Sequence, residues 1–125
     1  MPADRPRPAV QSHRGALYRF DLEPALVERV HAFNARHGLT LFMTMTATLA
    51  VLLHRYSGQH DLRIGAPVVN RIRPESEGLI GAFLNTQVLR CELDGQMTVA
   101  AVLDQVRQNV YDGQSLQVLL FRQLV

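Results

Sequence analysis

LIGAFLNTQVLRCEL, residues 79–93, reads as a β-strand with a polar break at its centre. Ile80, Phe83, Leu84, Val88, Leu89 and Cys91 are side chains that suit a pleated, half-buried surface, yet Asn85, Thr86 and Gln87 stand together in the middle. A buried amide without a partner costs about 1–3 kcal/mol, so these residues must bond to neighbouring groups, meet water or meet a ligand. With a side-chain period of two, Phe83, Asn85, Gln87 and Leu89 share one face and Leu84, Thr86, Val88 and Arg90 the other. Both faces are mixed, and the pattern alone does not say which one is covered.

Working outward, HDLRIGAPVVNR (60–71) places Leu62, Ile64, Ala66 and Val68 on one face and predicts a second strand, with Pro67 marking an edge or a break. The RIRPESEG loop (71–78) between the two strands is polar and carries both charge signs. Upstream, Pro24 suits the first turn of a helix in which Leu26, Val30 and Phe33 recur until His37-Gly38. Thr40 then caps a second helix, LFMTMTATLAVLLHRYS (41–57), which Gly58 ends. That helix is apolar almost all the way round, which predicts burial on every side. Downstream, Asp94-Gly95 makes a turn and Thr98 caps a third helix with Val99, Val102, Leu103, Val106 and Val110 in one stripe, expected to stop at Gly113. The alternation in ALYRFDL (16–22) predicts a strand before the first helix. The expected order is therefore β-α-α-β-β-α, a mixed α/β (α+β) layer structure with three strands, few for a self-sufficient sheet. QVLLFRQLV (117–125) is apolar to its last residue and is expected to begin an element that continues, which marks the chain as a fragment.

At 125 residues and 47% hydrophobic content the chain supports one globular domain and not two. Its formal charge of +2 arises partly from Arg5, Arg7 and Arg14 in a proline-punctuated start, so residues 1–14 read as a solvated linker rather than a nucleic-acid arm. Three Tyr, five Phe and no Trp supply no stacking platform for bases, and no nucleic-acid partner is expected. No stretch approaches the roughly 20 apolar residues of a membrane span, and MPADRPRPAV lacks the apolar centre of a secretory signal. A single cysteine, Cys91, excludes an internal disulfide, points to a cytoplasmic setting and suits a small buried hydrophobe.

The five histidines make no catalytic or metal set. His31 and His37 are six residues apart, as are His54 and His60, and no pair has the i, i+4 spacing of a helical zinc site. His37 and His54 fall in the last turns of predicted helices, where a cation complements the dipole, while His13 and His60 are expected to be solvated. The eight glycines punctuate turns without gathering into a phosphate loop. No catalytic residue and no metal ligand is expected from the residues alone.

GAPVVNR (65–71) followed by LIGAFLNTQVLRCEL resembles the condensation domains of nonribosomal peptide synthetases, which carry a G-x-P-x-x-N-R segment before an I-G-x-F-x-N-T-x-x-x-R strand. Ile80, Gly81, Phe83, Asn85, Thr86 and Arg90 all match. ADRPRP, TLFMTMTATLAVLLHRYSGQHDLRIG and MTVAAVLDQVRQNV resemble the linker, central helix and later helix of the same region, so nearly the whole chain is covered. The resemblance implies a partial chloramphenicol-acetyltransferase-like lobe: residues 1–14 as linker and 15–125 as part of the second of two lobes around a tunnel. It implies no cofactor bound by this chain, substrates tethered to phosphopantetheine, and peptidyl carrier proteins and neighbouring synthetase domains as partners. Asn85 and Thr86 are then expected to face the tunnel and bind substrate, and Arg71 and Arg90 to pair with Glu75, Glu77 or Glu92. The family's HHxxxDG motif is absent, since no two histidines are adjacent, so the chain by itself is expected to be inactive. Of the HQDLPFE run expected after the third helix, only Gln117, Leu119 and Phe121 are kept. A fragment of a related epimerisation or cyclisation domain fits the same residues. A non-catalytic α/β module that forms a homo-oligomer through its exposed half-core is the reading from a different class.

Overall fold

A computed structural model describes residues 6, 8–10, 12–69, 74–76, 78–81 and 83–116. The elements are α1 (Pro24–His37), α2 (Leu41–Ser57), β1 (Asp61–Val69), a single 3₁₀ turn (Pro74–Ser76), β2 (Leu84–Glu92) and α3 (Val99–Ser115). β1 and β2 form a two-stranded antiparallel sheet, and α2 and α3 lie against one of its faces. Mixed α/β architecture is as expected from the sequence, with three corrections.

The first correction concerns residues 16–22, which take no regular secondary structure. Leu17, Tyr18 and Phe20 are 69–85% exposed there. Alternation permits a strand but does not make one, because a strand exists only when another backbone accepts its ladder. The second concerns α2, which is not buried on every side. Met43, Thr46, Ala47 and Ala50 are covered, while Leu41, Phe42, Met45, Leu49, Leu52 and Tyr56 form an open apolar face on the other side. The third concerns Gly113, which does not end α3: the helix runs through it to Ser115. The apolar run at 117–125, together with Arg71 and Glu77, lies outside the described residues.

Local signals set the helix ends. Gly38 and Gly58 adopt φ of 61° and 67°, the left-handed region that closes a helix at little cost for glycine. Thr40 Oγ1 accepts the Met43 N–H and Thr98 Oγ1 accepts the Ala101 N–H, each at 3.2 Å. The α1–α2 pair bends by 106°, and no single helix among the described residues is long and apolar enough to cross a membrane.

The core is one cluster: Met43, Ala47 and Ala50 from α2, Leu62 and Ala66 from β1, Leu89, Cys91 and Leu93 at β2, and Val102, Leu103, Val106 and Val110 from α3. Every strand residue in it lies on the same side of the sheet. The sheet is therefore one-sided, and its outer face carries Val69, Leu84 and Val88 in the open.

Candidate functional site

The register of the sheet decides what each residue of β2 can reach. Asp61 pairs with Glu92, Pro67 with Thr86 and Val68 with Asn85. Just past the ladder the Leu93 N–H donates to the His60 carbonyl at 2.7 Å, which sets the phase. Val68–Asn85 and Ala66–Gln87 are then hydrogen-bonded pairs, and Pro67–Thr86 is a non-hydrogen-bonded one. Pro67 lacks an N–H only where that group would have pointed to the open edge of β1, so the strand passes through it without a break.

Asn85 and Thr86 are on opposite faces. Asn85 lies on the helix-covered side and is 8% exposed, and its Oδ1 accepts the Thr86 N–H at 2.9 Å. Thr86 is half-buried on the outer face, opposite Pro67 and beside Gly65, where an added Cβ would lie 3.4 Å from Thr86 Cγ2. Around it stand the exposed Leu84, Val88 and Val69. The two side chains predicted to share a site are thus joined through one backbone N–H and do not line one surface. Of the two, Thr86 alone belongs to the uncovered face.

Farther along that face the surface becomes ionic. Asp61 stands opposite Glu92, and Arg63 opposite Arg90, so like charges face each other across the ladder. The arginines resolve this with one diagonal pairing and two along their own strands: Arg90 Nε donates across the ladder to Asp61 Oδ1 at 2.9 Å, Arg90 Nη2 donates to Glu92 Oε1 at 2.9 Å, and Arg63 Nη2 to Asp61 Oδ2 at 3.2 Å. The hydrogen bond from Arg90, with the charges of Arg90 and Arg63, holds the Asp61 carboxyl below the usual carboxylate value. Asp61 in turn raises the Arg90 guanidinium further above its ordinary value. The expected pairing of Arg90 with Glu92 is present, and Asp61 is the partner the sequence reading missed.

The outer edge of β2 is closed by α3. Gln105 Oε1 accepts the Glu92 N–H at 3.0 Å and Gln105 Nε2 donates to the Glu92 carbonyl at 3.1 Å, so one side-chain amide imitates a neighbouring strand. One turn on, Asn109 Nδ2 donates to the Arg90 carbonyl. In the sequence, the only trace of this clamp is two amides at i, i+4 beside the apolar stripe of α3.

The remaining polar groups serve structure. His60 is exposed, as expected, and it also has a structural contact: its Nδ1 bonds to the Leu93 carbonyl at 2.8 Å, and its ring lies 5.0 Å from that of His54, whose Nδ1 bonds to the Gln59 carbonyl at 2.7 Å. Cys91 is fully buried, and burial pushes its thiol up. No group of three or more His, Cys, Asp or Glu among the described residues is arranged to hold a metal ion. Three surface grooves, of about 430, 220 and 320 Å³, lie among α1, α2, α3 and Leu39, and none of the three borders β2.

Solved structures with this arrangement are condensation domains of the chloramphenicol-acetyltransferase-like fold. A four-domain nonribosomal peptide synthetase in its holo form, bound to AMP and glycine, superposes with a TM-score of 0.89 at 28% identity, over 94% of this chain and 9% of that one. The SgcC5 protein of Streptomyces globisporus matches with a TM-score of 0.74 at 28% identity, over 82% of this chain and 23% of that one. The family model described as Condensation domain matches residues 1–125, and the chain belongs to that family. Similar curated proteins include a linear gramicidin synthase polypeptide of Brevibacillus parabrevis, 44% identical, and the phosphinothricin tripeptide synthetase PhsC of Streptomyces viridochromogenes, 46% identical. Both matches cover all of this chain, which spans 2% and 12% of their respective lengths.

Proposed function

We propose that residues 15–125 are part of the second lobe of a condensation domain, entered through residues 1–14, in a synthetase that joins a carrier-bound aminoacyl or peptidyl thioester to an acceptor amine. The outer face of the β1–β2 sheet then forms one wall of the channel in which phosphopantetheine-tethered substrates meet, with carrier proteins and adjoining synthetase domains as partners. The observation that carries this is the full-length family match together with a sheet whose outer face, among the described residues, is apolar around Thr86. Leu84, Val88 and Val69 offer apolar contact to a pantetheine arm, and the Thr86 hydroxyl can donate to one of its carbonyls or accept from one of its amides. Asn85 holds the Thr86 N–H from behind and fixes the hydroxyl's height above the sheet. No residue here acts as a base; proton transfer belongs to the histidine motif that this chain lacks.

The test is Thr86→Val and Asn85→Ala in a synthetase carrying this segment, with peptide-bond formation measured after the carrier domains have been loaded. Removing one hydrogen bond made in the transition state is expected to slow condensation by roughly 10-fold, while adenylation and loading stay unchanged. Unaltered condensation in both variants rejects the reading.

A second reading is favoured by the open face of α2. Leu41, Phe42, Met45, Leu49, Leu52 and Tyr56 are each 41–68% exposed on one side of a helix whose other side is in the core. A contiguous apolar surface of this kind drives association, so the 125-residue chain by itself forms a homo-oligomer. Sedimentation showing a clean monomer excludes it.

A further inference from the structure

We infer that Gln87 and Gly113 are a positioning pair that sets the depth of the Asn85–Thr86 segment in the sheet. The inference rests on the reading above, in which Thr86 faces substrate.

Gly113 lies inside α3, where glycine is less stable than alanine, and its backbone does not require it: the positive φ values among the glycines belong to Gly38 and Gly58. What requires glycine is space. A Cβ at 113 would fall 1.4 Å from Gln87 Nε2, 2.4 Å from Cδ and 3.0 Å from Cγ. The α3 backbone is therefore seated directly on the Gln87 amide. Gln87 itself is a poor choice for stability, because its Nε2 is buried with no acceptor. Two locally unfavourable residues meet at one contact, on the strand face shared by Asn85.

The contact is also the third in a row. Gln105 meets β2 at Glu92, Asn109 meets it at Arg90, and Gly113 meets it at Gln87. α3 and β2 run antiparallel: from Gln105 to Asn109 the helix advances about 6 Å while the strand contact moves two residues, about 6.6 Å, and from Asn109 to Gly113 it advances about 6 Å again while the contact moves three residues, to a side chain on the helix-covered face. The first two are hydrogen bonds that fix sliding along the strand. The third is steric: it fixes how near the helix comes to the strand, two residues from Asn85 and next to Thr86. Enlarging residue 113 forces the Gln87 side chain to swing aside from Cγ outward, and β2 at 85–87 shifts with it, loosening the Thr86 N–H from Asn85 Oδ1.

The test combines two measurements on Gly113→Ala, Gln87→Ala and the double variant. Amide exchange of Thr86 in the 125-residue chain is expected to accelerate roughly 10-fold in Gly113→Ala, as its acceptor is displaced, and to return to the Gln87→Ala rate in the double variant. In the synthetase, kcat for condensation is expected to fall between roughly 10- and 100-fold in Gly113→Ala, and to recover in the double variant, since a misplacement near 1 Å has that effect. The recovery separates positioning from general damage, because a helix harmed by alanine itself would not be rescued by shortening a side chain on β2. Unchanged Thr86 exchange and unchanged kcat in Gly113→Ala overturn the inference, and so does a loss that the double variant leaves in place. If Thr86→Val slows condensation while Gly113→Ala changes nothing, this inference fails alone. If Gly113→Ala alters exchange reversibly but Thr86→Val is silent in condensation, the contact stands and the substrate-facing role of Thr86 falls.

Discussion

Replacing Gln105 with alanine removes both hydrogen bonds that its amide makes to Glu92, the 3.0 Å bond from the N–H and the 3.1 Å bond to the carbonyl. A hydrogen bond within a protein contributes about 0.5–1.5 kcal/mol net, so two contribute about 1–3 kcal/mol; Glu92 is exposed, water replaces part of the loss, and about 1–2 kcal/mol remains. For a domain of this size that is a fall in Tm of roughly 3–8 °C. Thermal unfolding followed by circular dichroism measures it, and amide exchange at Glu92 reports it locally. Gln105→Glu is the informative companion: it keeps an acceptor for the N–H, loses the donor to the carbonyl and adds a charge near Glu92, so it should destabilise as well. If Gln105→Ala melts with the parent chain and leaves Glu92 exchange unchanged, α3 does not clamp the edge of β2, and the row that ends at Gly113 loses its first member.

Asp61 gives the chain a dependence on acid. Its carboxyl is held below the usual value of 3.8 in the folded state, so the stabilisation is complete above that pH and vanishes as pH falls through the lower folded value. The melting difference between the parent chain and Asp61→Asn should therefore be largest near neutrality and close in acid; a difference that stays constant from about pH 6 to about pH 2 contradicts the ionic assignment. For the open face of α2, Leu49→Glu places a charge at the centre of the apolar stripe and should shift the sedimenting species to monomer without loss of helix. If the variant self-associates as the parent chain does, association uses another surface.

What the sequence determined by itself was local. Thr40 and Thr98 announce helix starts, because a hydroxyl satisfies backbone donors within three residues, and Gly38 and Gly58 announce ends, because left-handed φ suits glycine. The period of two over 60–69 and 84–92 gives both strands, and the motif around Asn85-Thr86 gives the family. The tertiary structure decided everything that depends on which surface meets which. Covering one face of β2 sends Asn85 inward and leaves Thr86 half-buried on the other face, a choice that a strand mixed on both faces leaves undetermined. Residues 16–22 alternate yet form no strand, and α2 is apolar all round yet covered on one side, because each needs a surface that no other described element supplies. Gly113 looked like a stop and is a seat: the signal for a helix end and the signal for close approach are the same missing Cβ, and only the strand lying against it tells them apart.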